Sequence, residues 1–137
     1  MLFVLDSSIA LAWYLPAQAD DYARAVYRRL GRGDDQIAVP EVFAVEVAHN
    51  IIKAVRNRKM SEREARAELT ELDALPIEIR PLGLTAGELL SVAQDWRVSA
   101  LDAFYLSLAS GLGVPLASRD GHMNEAAARL GIPLFTP

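Results

Sequence analysis

The segment Leu2-Phe3-Val4-Leu5-Asp6-Ser7-Ser8 joins four apolar residues to an acid and two hydroxyl residues. An apolar run of this length is typical of a strand that is buried on both faces. A helical pattern follows at once, from Ser7 to Leu15, and ends at Pro16. A buried strand that passes directly into a helix predicts a parallel α/β arrangement, with Asp6 at the carboxyl end of the strand, where such sheets bind ligands.

The same alternation of short apolar runs and longer helical patterns continues along all 137 residues. Further strands are predicted at residues 37–39, 77–79, 114–117 and 132–135. Helices are predicted at about 20–30, 41–56, 61–75, 85–96, 101–110 and 123–130. We therefore expect one domain over residues 1–137, with five parallel strands in a sheet that helices cover on both faces.

The composition excludes several kinds of site and of location. Cysteine is absent, so disulfides, thiolate metal sites and cysteine nucleophiles are ruled out. No stretch approaches the ~20 apolar residues needed to cross a bilayer. The apolar start at Met1–Leu5 lacks the basic flank of a signal peptide. We therefore expect a cytoplasmic protein without a membrane segment.

Four acidic residues fall where the predicted fold would bring side chains to the carboxyl edge of the sheet. Asp6 follows the first strand and Asp120 follows the fourth. Glu46 lies about one and a half turns into the helix that follows the second strand, and Asp102 lies in the first turn of the helix before the fourth strand. These four residues are the candidate catalytic acids.

Apolar neighbours surround Asp6, Glu46 and Asp102, and no lysine or arginine adjoins them in sequence. A carboxylate buried in such surroundings is costly unless it is paired or binds a cation. With no cysteine, and with His49 and His122 as the only histidines, the available ligands are hard oxygens. They favour Mg²⁺ or Mn²⁺ over zinc. Such an ion can activate a water molecule for attack on a phosphodiester.

Each acid, taken alone, also has a structural explanation. The pattern Ser99-Ala100-Leu101-Asp102 has the form of a capping box. Asp6 and Asp120 are suited to cap the helices that follow them. Glu46 is harder to explain in this way, because it interrupts an otherwise apolar helix face. The four acids together indicate a functional site, because structural roles at all four positions would be an unlikely coincidence.

The motifs around these acids resemble those of PIN domains, and in particular the ribonuclease toxins of VapBC toxin–antitoxin pairs. Val4-Leu5-Asp6-Ser7-Ser8 is similar to the first motif, and Glu46-Val47-Ala48-His49-Asn50 is similar to the second. The segment from Ser99 to Tyr105 closely resembles the third. Ala117-Ser118-Arg119-Asp120 resembles the fourth, with serine in place of the more usual threonine. Their order and spacing extend the resemblance over nearly the whole chain.

The resemblance implies a three-layer α/β/α fold around a five-stranded parallel sheet. It also implies RNA cleavage that depends on Mg²⁺ or Mn²⁺, a homodimer, and a small antitoxin protein as partner. For the four acids we expect Asp6 and Asp102 to be the principal metal ligands, directly or through water. We expect Glu46 and Asp120 to bind a second ion or to orient the attacking water.

Other residues near the motifs have both functional and structural explanations. Ser7 and Ser118 are candidates for orienting substrate or water, since a hydroxyl both donates and accepts hydrogen bonds. Asn50, one helical turn after Glu46, is a candidate for orienting substrate or water and for supporting the Glu46 carboxylate, with an ordinary helix-surface amide as the alternative. For Ser8 we expect capping or a turn, and for Tyr105 a place in the core.

Surface residues provide two further candidates. Lys53, Arg56, Arg58 and Lys59 lie between Glu46 and Glu62 without an intervening acid, although the net charge of the chain is −4. The basic stretch from Lys53 to Arg66 is either an RNA-backbone contact or a solvated helix end. Trp13 and Tyr14 are either core residues or part of a groove for the antitoxin.

A phosphatase, a phospho-receiver domain and a binding module are the three alternatives to a ribonuclease. A phosphatase of the haloacid-dehalogenase type also has an aspartate after its first strand. It needs a second aspartate two residues later, where this chain has Ser8, and a lysine in its later half, whereas the only lysines are Lys53 and Lys59. The lysine argument also counts against a phospho-receiver domain. A PIN-like module that binds RNA or protein without cutting remains the alternative to a ribonuclease.

Overall fold

The computed structural model describes residues 1–137, and its elements alternate as the sequence predicts. The strands are β1 (Leu2–Leu5), β2 (Gln36–Val39), β3 (Ile77–Ile79) and β4 (Leu116–Ala117). The helices are α1 (Ser7–Tyr14), α2 (Asp21–Leu30), α3 (Val42–Arg56), α4 (Glu62–Asp73), α5 (Ala86–Trp96), α6 (Ala100–Leu112) and α7 (Gly121–Arg129). A single 3₁₀ turn, Pro16–Gln18, follows α1.

The four strands form one parallel sheet in the order β3-β2-β1-β4. The first strand is central, and its residues Phe3, Val4 and Leu5 are fully buried. Helices cover both faces in a three-layer α/β/α fold, and 32 buried residues form one hydrophobic cluster. The run of apolar residues at the start of the chain therefore becomes the middle of the core.

Several helices begin at the capping residues that the sequence indicates. Asp20 caps α2, and the Ser61 hydroxyl caps α4 by accepting from the Glu64 N–H. At α5 the capping box is complete, because Thr85 and Glu88 each accept a hydrogen bond from the other's backbone N–H. These caps satisfy N–H groups that have no partner within the helix.

The predicted fifth strand, Ile132–Phe135, is wrong as a strand. Only one parallel bridge forms there, between Leu116 and Leu134. Pro133 accepts a hydrogen bond from the Leu116 N–H but has no N–H of its own to continue the ladder. Pro115 shortens β4 in the same way, since its carbonyl accepts from the Val4 N–H but nothing can be donated in return. The Phe135 ring nevertheless stacks on Phe3 at 3.9 Å.

The arrangement of β1 and β4 determines where the site lies. The two strands are adjacent and parallel, and the Asp6 N–H donates to the Ala117 carbonyl at 2.9 Å. Asp6 and the segment from Ser118 to Asp120 therefore leave the sheet at the same carboxyl edge. None of the helices has the length and apolar character to cross a membrane.

Candidate active site

Asp6 is the most buried of the four candidate acids, with 4% of its surface exposed. Its Oδ2 atom accepts hydrogen bonds from the hydroxyls of Ser8 and Ser118, the latter at 2.8 Å. Although Asp6 occupies the capping position of α1, its side chain makes no capping hydrogen bond. The capping explanation is therefore wrong for Asp6, whose carboxylate is held by hydroxyls from two separate segments.

Asp6 differs sharply from the other buried aspartate, Asp35, which is 2% exposed. The Asp35 carboxylate lies 2.7 Å from the Arg29 guanidinium and 3.2 Å from the terminal amine of Met1. No lysine, arginine or histidine forms an ion pair with Asp6. Burial therefore raises the pKa of Asp6, and the two serine hydroxyls only partly offset this.

Ser118 connects Asp6 to Asp120. Its hydroxyl donates to Asp6 and accepts from the Asp120 N–H at 3.0 Å. Asp120 caps α7, because its Oδ1 atom accepts from the N–H groups of His122 and Met123 at 2.9 and 3.2 Å. The capping explanation therefore holds for one oxygen of Asp120. The negative charge of Asp120 nevertheless contributes to raising the pKa of Asp6.

Glu46 is half-buried on α3 and is held by a tyrosine. The Tyr105 hydroxyl donates to Glu46 Oε1 at 2.6 Å, and Tyr105 is only 1% exposed. Burial raises the pKa of Glu46, the bond from Tyr105 lowers it, and the charges of Asp6 and Asp102 raise it again. Ser7, which is buried, also favours the ionised form of Glu46.

Asn50 does not support the Glu46 carboxylate. Its Nδ2 atom donates instead to the backbone carbonyl of Glu46, at 2.9 Å. Of the two explanations for Asn50, this contact agrees with an ordinary helix-surface amide, because the side chain bonds to the carbonyl one turn earlier in the same helix. The amide therefore stays against the surface of α3.

Asp102 lies in the first turn of α6. The Ser99 hydroxyl accepts a hydrogen bond from the Asp102 backbone N–H at 3.0 Å. The reciprocal bond of a capping box, from the Ser99 N–H to the Asp102 carboxylate, is not formed. Capping therefore explains Ser99 but leaves the Asp102 carboxylate unexplained. Burial first, and then the charges of Asp120 and Asp6, raise the pKa of Asp102, while the nearby His122 lowers it.

The four acids act on one another electrostatically across the carboxyl edge of the sheet. Repulsion between the negative charges raises carboxyl pKa values for every pair of these acids except Glu46 and Asp120. No three acidic or histidine side chains are close enough, as they stand, to ligate one ion together. Ligation by more than two of them would need side-chain rotation or bridging waters. The donor set is nonetheless all oxygen, and the buried Asp6 lacks a cation, which fits Mg²⁺ or Mn²⁺.

Two residues of this site were assigned other roles from the sequence. Tyr105 was expected in the core, and it is there, but its hydroxyl holds Glu46. Its position three residues after Asp102, on the same helix face, was the available signal. Ser8 was expected to cap, whereas it donates to Asp6 and accepts from the Arg119 N–H at 3.2 Å.

The remaining polar candidates lie at the margin. The Arg119 guanidinium is 3.7 Å from the Asp20 carboxylate, so it pairs with an acid. His122 is exposed in the first turn of α7, and His49 is exposed on α3. Neither histidine is held in a hydrogen bond through its ring.

Comparison with known protein families matches residues 3–129 to the PIN domain. The chain belongs to the PIN-domain family. The family that the four sequence motifs indicate is thereby confirmed, and the match spans the elements that carry all four acids.

Two relatives of this PIN domain come from Mycobacterium tuberculosis. Ribonuclease VapC12 is 33% identical over 125 residues, which cover 91% of this chain and 92% of the relative. Ribonuclease VapC1 is 35% identical over 96 residues, which cover 69% of this chain and 68% of the relative.

Solved structures show the same fold at lower identity. PAE2754 from Pyrobaculum aerophilum superposes with a TM-score of 0.70 at 18% identity, over 92% of this chain and 79% of that one. VapBC2 from Rickettsia felis, bound to a DNA fragment from its promoter, superposes with a TM-score of 0.66 at 16% identity, over 98% of each chain. FitAcB from Neisseria gonorrhoeae gives 0.63 at 15% identity, over 98% of this chain and 97% of that one.

The first prediction is that Asp6→Asn raises the melting temperature of the metal-free PIN domain at pH 7. Because the pKa of Asp6 is raised on folding, its ionised form destabilises the fold. This penalty is complete above the folded pKa and vanishes below the unfolded one. We expect a gain of several degrees, since 1 kcal/mol corresponds to about 4 °C in a domain of this size. The gain should shrink as the pH is lowered towards 4 in thermal melts with a chelator present.

The matched control is Asp35→Asn, which removes the other buried carboxylate. It should lower the melting temperature at pH 7, because Arg29 then loses its partner. If Asp6→Asn lowers the melting temperature as Asp35→Asn does, the carboxylate of Asp6 is a structural group.

The second prediction concerns the hydrogen bond between Tyr105 and Glu46. Tyr105→Phe keeps the buried ring but removes the donor, so we expect the pKa of Glu46 in the metal-free protein to rise further. A ¹³C NMR titration of the glutamate carboxyl carbons measures this. Tyr22→Phe, whose hydroxyl bonds to the Phe135 carbonyl, should leave the Glu46 titration unchanged. Equal titrations in all three proteins would contradict a role for Tyr105 in holding Glu46.

Proposed function

We propose that residues 1–137 act as a single PIN domain that hydrolyses RNA phosphodiesters with Mg²⁺ or Mn²⁺, as the toxin of a toxin–antitoxin pair. The observation that carries this proposal is the buried Asp6 carboxylate, which has no cationic partner and faces three further acids. The two relatives from Mycobacterium tuberculosis are named ribonucleases, and this supports RNA as the substrate.

In this proposal Asp6 and Asp102 would hold the ion. Both carboxylates carry a raised pKa that a bound cation would lower. The serine hydroxyls on Asp6 Oδ2 fix the orientation of that carboxylate, while no hydroxyl donates to Oδ1. When bound, the ion lowers the pKa of a ligated water and neutralises charge that develops on the phosphodiester.

Glu46 and Asp120 orient the attacking water or complete the ligand set. Tyr105 holds Oε1 of Glu46, so its other carboxylate oxygen can face the water. Asp120 uses Oδ1 to cap α7, and its Oδ2 atom remains for the site. Ser118 aligns Asp120 with Asp6, and the buried Ser7 lies against Glu46.

The reaction that follows is a single displacement at phosphorus. A bond forms between the water oxygen and phosphorus, and the bond from phosphorus to the 3′ oxygen breaks. The water loses a proton and the leaving oxygen gains one, which produces 5′-phosphate and 3′-hydroxyl ends. No side chain needs to act as a nucleophile, which agrees with the absence of cysteine.

An antitoxin is the partner that we propose for a groove near Trp13 and Tyr14. Tyr27, Glu68 and Glu71 also line this groove, which has a volume of about 500 Å³. The Tyr14 hydroxyl is buried there without a hydrogen-bond partner, so a docked segment could supply one. The Rickettsia felis structure is named as a VapBC pair, and this supports a partner of that kind.

We also propose a homodimer in the cytoplasm, as the family resemblance implies. An exposed apolar surface at α5, where Leu90 is 58% exposed, is available for self-association.

The third prediction tests the proposed activity. Purified protein, free of antitoxin, should cut single-stranded RNA in the presence of Mn²⁺ and not in the presence of a chelator. Asp6→Asn and Asp102→Asn should each lower the rate by at least ~10², since each removes a group that acts on charge in the transition state. Circular dichroism should show that both variants remain folded.

His49→Ala serves as the control, because His49 lies exposed on α3 and should matter less than fivefold. If wild-type protein binds RNA but never cuts it, the chain is a binding module. If Asp6→Asn cuts as fast as wild type, the proposed mechanism is wrong.

A further inference from the structure

A polar cleft lies between the 3₁₀ turn Pro16–Gln18 and the second half of α3. Its volume is about 450 Å³, and its polar lining consists of Gln18, Asn50, Lys53, Asn57 and Lys59. No acidic residue lines it. Its polar lining therefore offers two positive charges beside three side-chain amides.

The two lysines are not neutralised within the chain. Lys53 and Lys59 are exposed and form no ion pair, whereas Arg24, Arg29 and Arg66 each pair with an acid. The chain carries 18 acidic residues against 14 basic ones, and none of the acids falls between residues 47 and 61. An uncompensated positive surface in an otherwise acidic chain is a candidate contact for a polyanion.

One end of the cleft lies next to a candidate catalytic acid. Glu46, Asn50 and Lys53 are spaced four and three residues apart, so they share one face of α3, and Asn57 is the C-cap residue of the same helix. At 1.5 Å per residue, Lys53 lies about 10 Å and Asn57 about 16 Å from Glu46 along the helix axis. Asn50, one turn from Glu46, is where the cleft begins.

We propose that this cleft binds the sugar–phosphate backbone of single-stranded RNA on one side of the bond that is cut. The proposal rests on the proposed function. Four repelling carboxylates in a chain of net charge −4 would push RNA away, so binding needs a local attraction close by. Lys53 and Lys59 would neutralise phosphates, and the amides of Gln18 and Asn57 can donate to phosphate and ribose oxygens.

An acidic peptide is the other polyanion that could enter such a cleft. RNA is favoured because the end of the cleft at Asn50 lies one helical turn from Glu46, a candidate catalytic acid. An RNA backbone that crosses the candidate site would pass this end of the cleft, whereas an acidic peptide has no such reason to lie next to Glu46.

The test measures RNA binding in the Asp6→Asn background, so that the RNA is not cut. Lys53→Gln/Lys59→Gln should raise the dissociation constant for a fluorescent single-stranded RNA roughly tenfold at low salt. The slope of log K against log salt should fall by about 1.4, or about 0.7 for each lost phosphate contact. In cutting-competent protein, the same pair should raise KM more than it lowers kcat.

The matched control also removes two charges. Arg32→Gln/Arg97→Asn changes two exposed arginines that lie outside the cleft and form no ion pair. Arg97 has a positive φ of 55°, which asparagine tolerates. We expect the dissociation constant and the salt slope to stay close to those of the parent protein, and thermal melts confirm the fold of each variant.

Three results would overturn the proposal. The first is an unchanged salt slope and KM in the lysine variant, and the second is an equal effect in the arginine control. The third is weakened binding of a polyglutamate peptide with unchanged binding of RNA, which would assign the cleft to an acidic peptide. If the lysine variant binds RNA more weakly but wild-type protein never cuts RNA, the cleft stands and the proposed function fails.

Discussion

The buried carboxylate of Asp6, held by two hydroxyls and neutralised by no cation, is the interaction on which the rest of the site depends. It joins two separate segments of the chain, because Asp6 and Ser8 lie where β1 passes into α1, and Ser118 follows β4. Those segments meet only because β1 and β4 are adjacent and parallel. The fully buried strand at the start of the chain thus places an ionisable group at the edge of the core.

The acids that form the candidate site lower the stability of the metal-free fold. Burial and mutual repulsion raise the pKa values of Asp6, Glu46 and Asp102, so each ionised group makes the metal-free fold less stable. Asp35 shows what the same chain does with an acid that serves the fold, since it gives that acid an arginine at 2.7 Å. A divalent cation is the partner that would remove the repulsion among the other acids.

Much of the fold and the positions of the four acids could be predicted from hydrophobic patterns and strand ends, because parallel strands place their carboxyl ends at one edge. The shortened sheet was missed because Pro133 satisfies an apolar pattern while it cannot donate to a ladder. The sequence leaves two explanations for Asn50 because spacing along a helix does not distinguish a side-chain partner from a backbone carbonyl. Tyr105 was missed as a site residue because a buried ring and a buried hydrogen-bond donor have the same sequence signal.

We propose that the carboxylates of Asp6 and Asp102 bind one divalent ion between them. Crystals soaked in MnCl₂, with diffraction measured at the manganese absorption edge, test it by locating the metal through its anomalous scattering. We expect the strongest anomalous peak in contact with the carboxylates of Asp6 and Asp102, and its loss in crystals of Asp6→Asn. A strongest peak remote from Asp6, or none at saturating manganese, would contradict the proposed metal site.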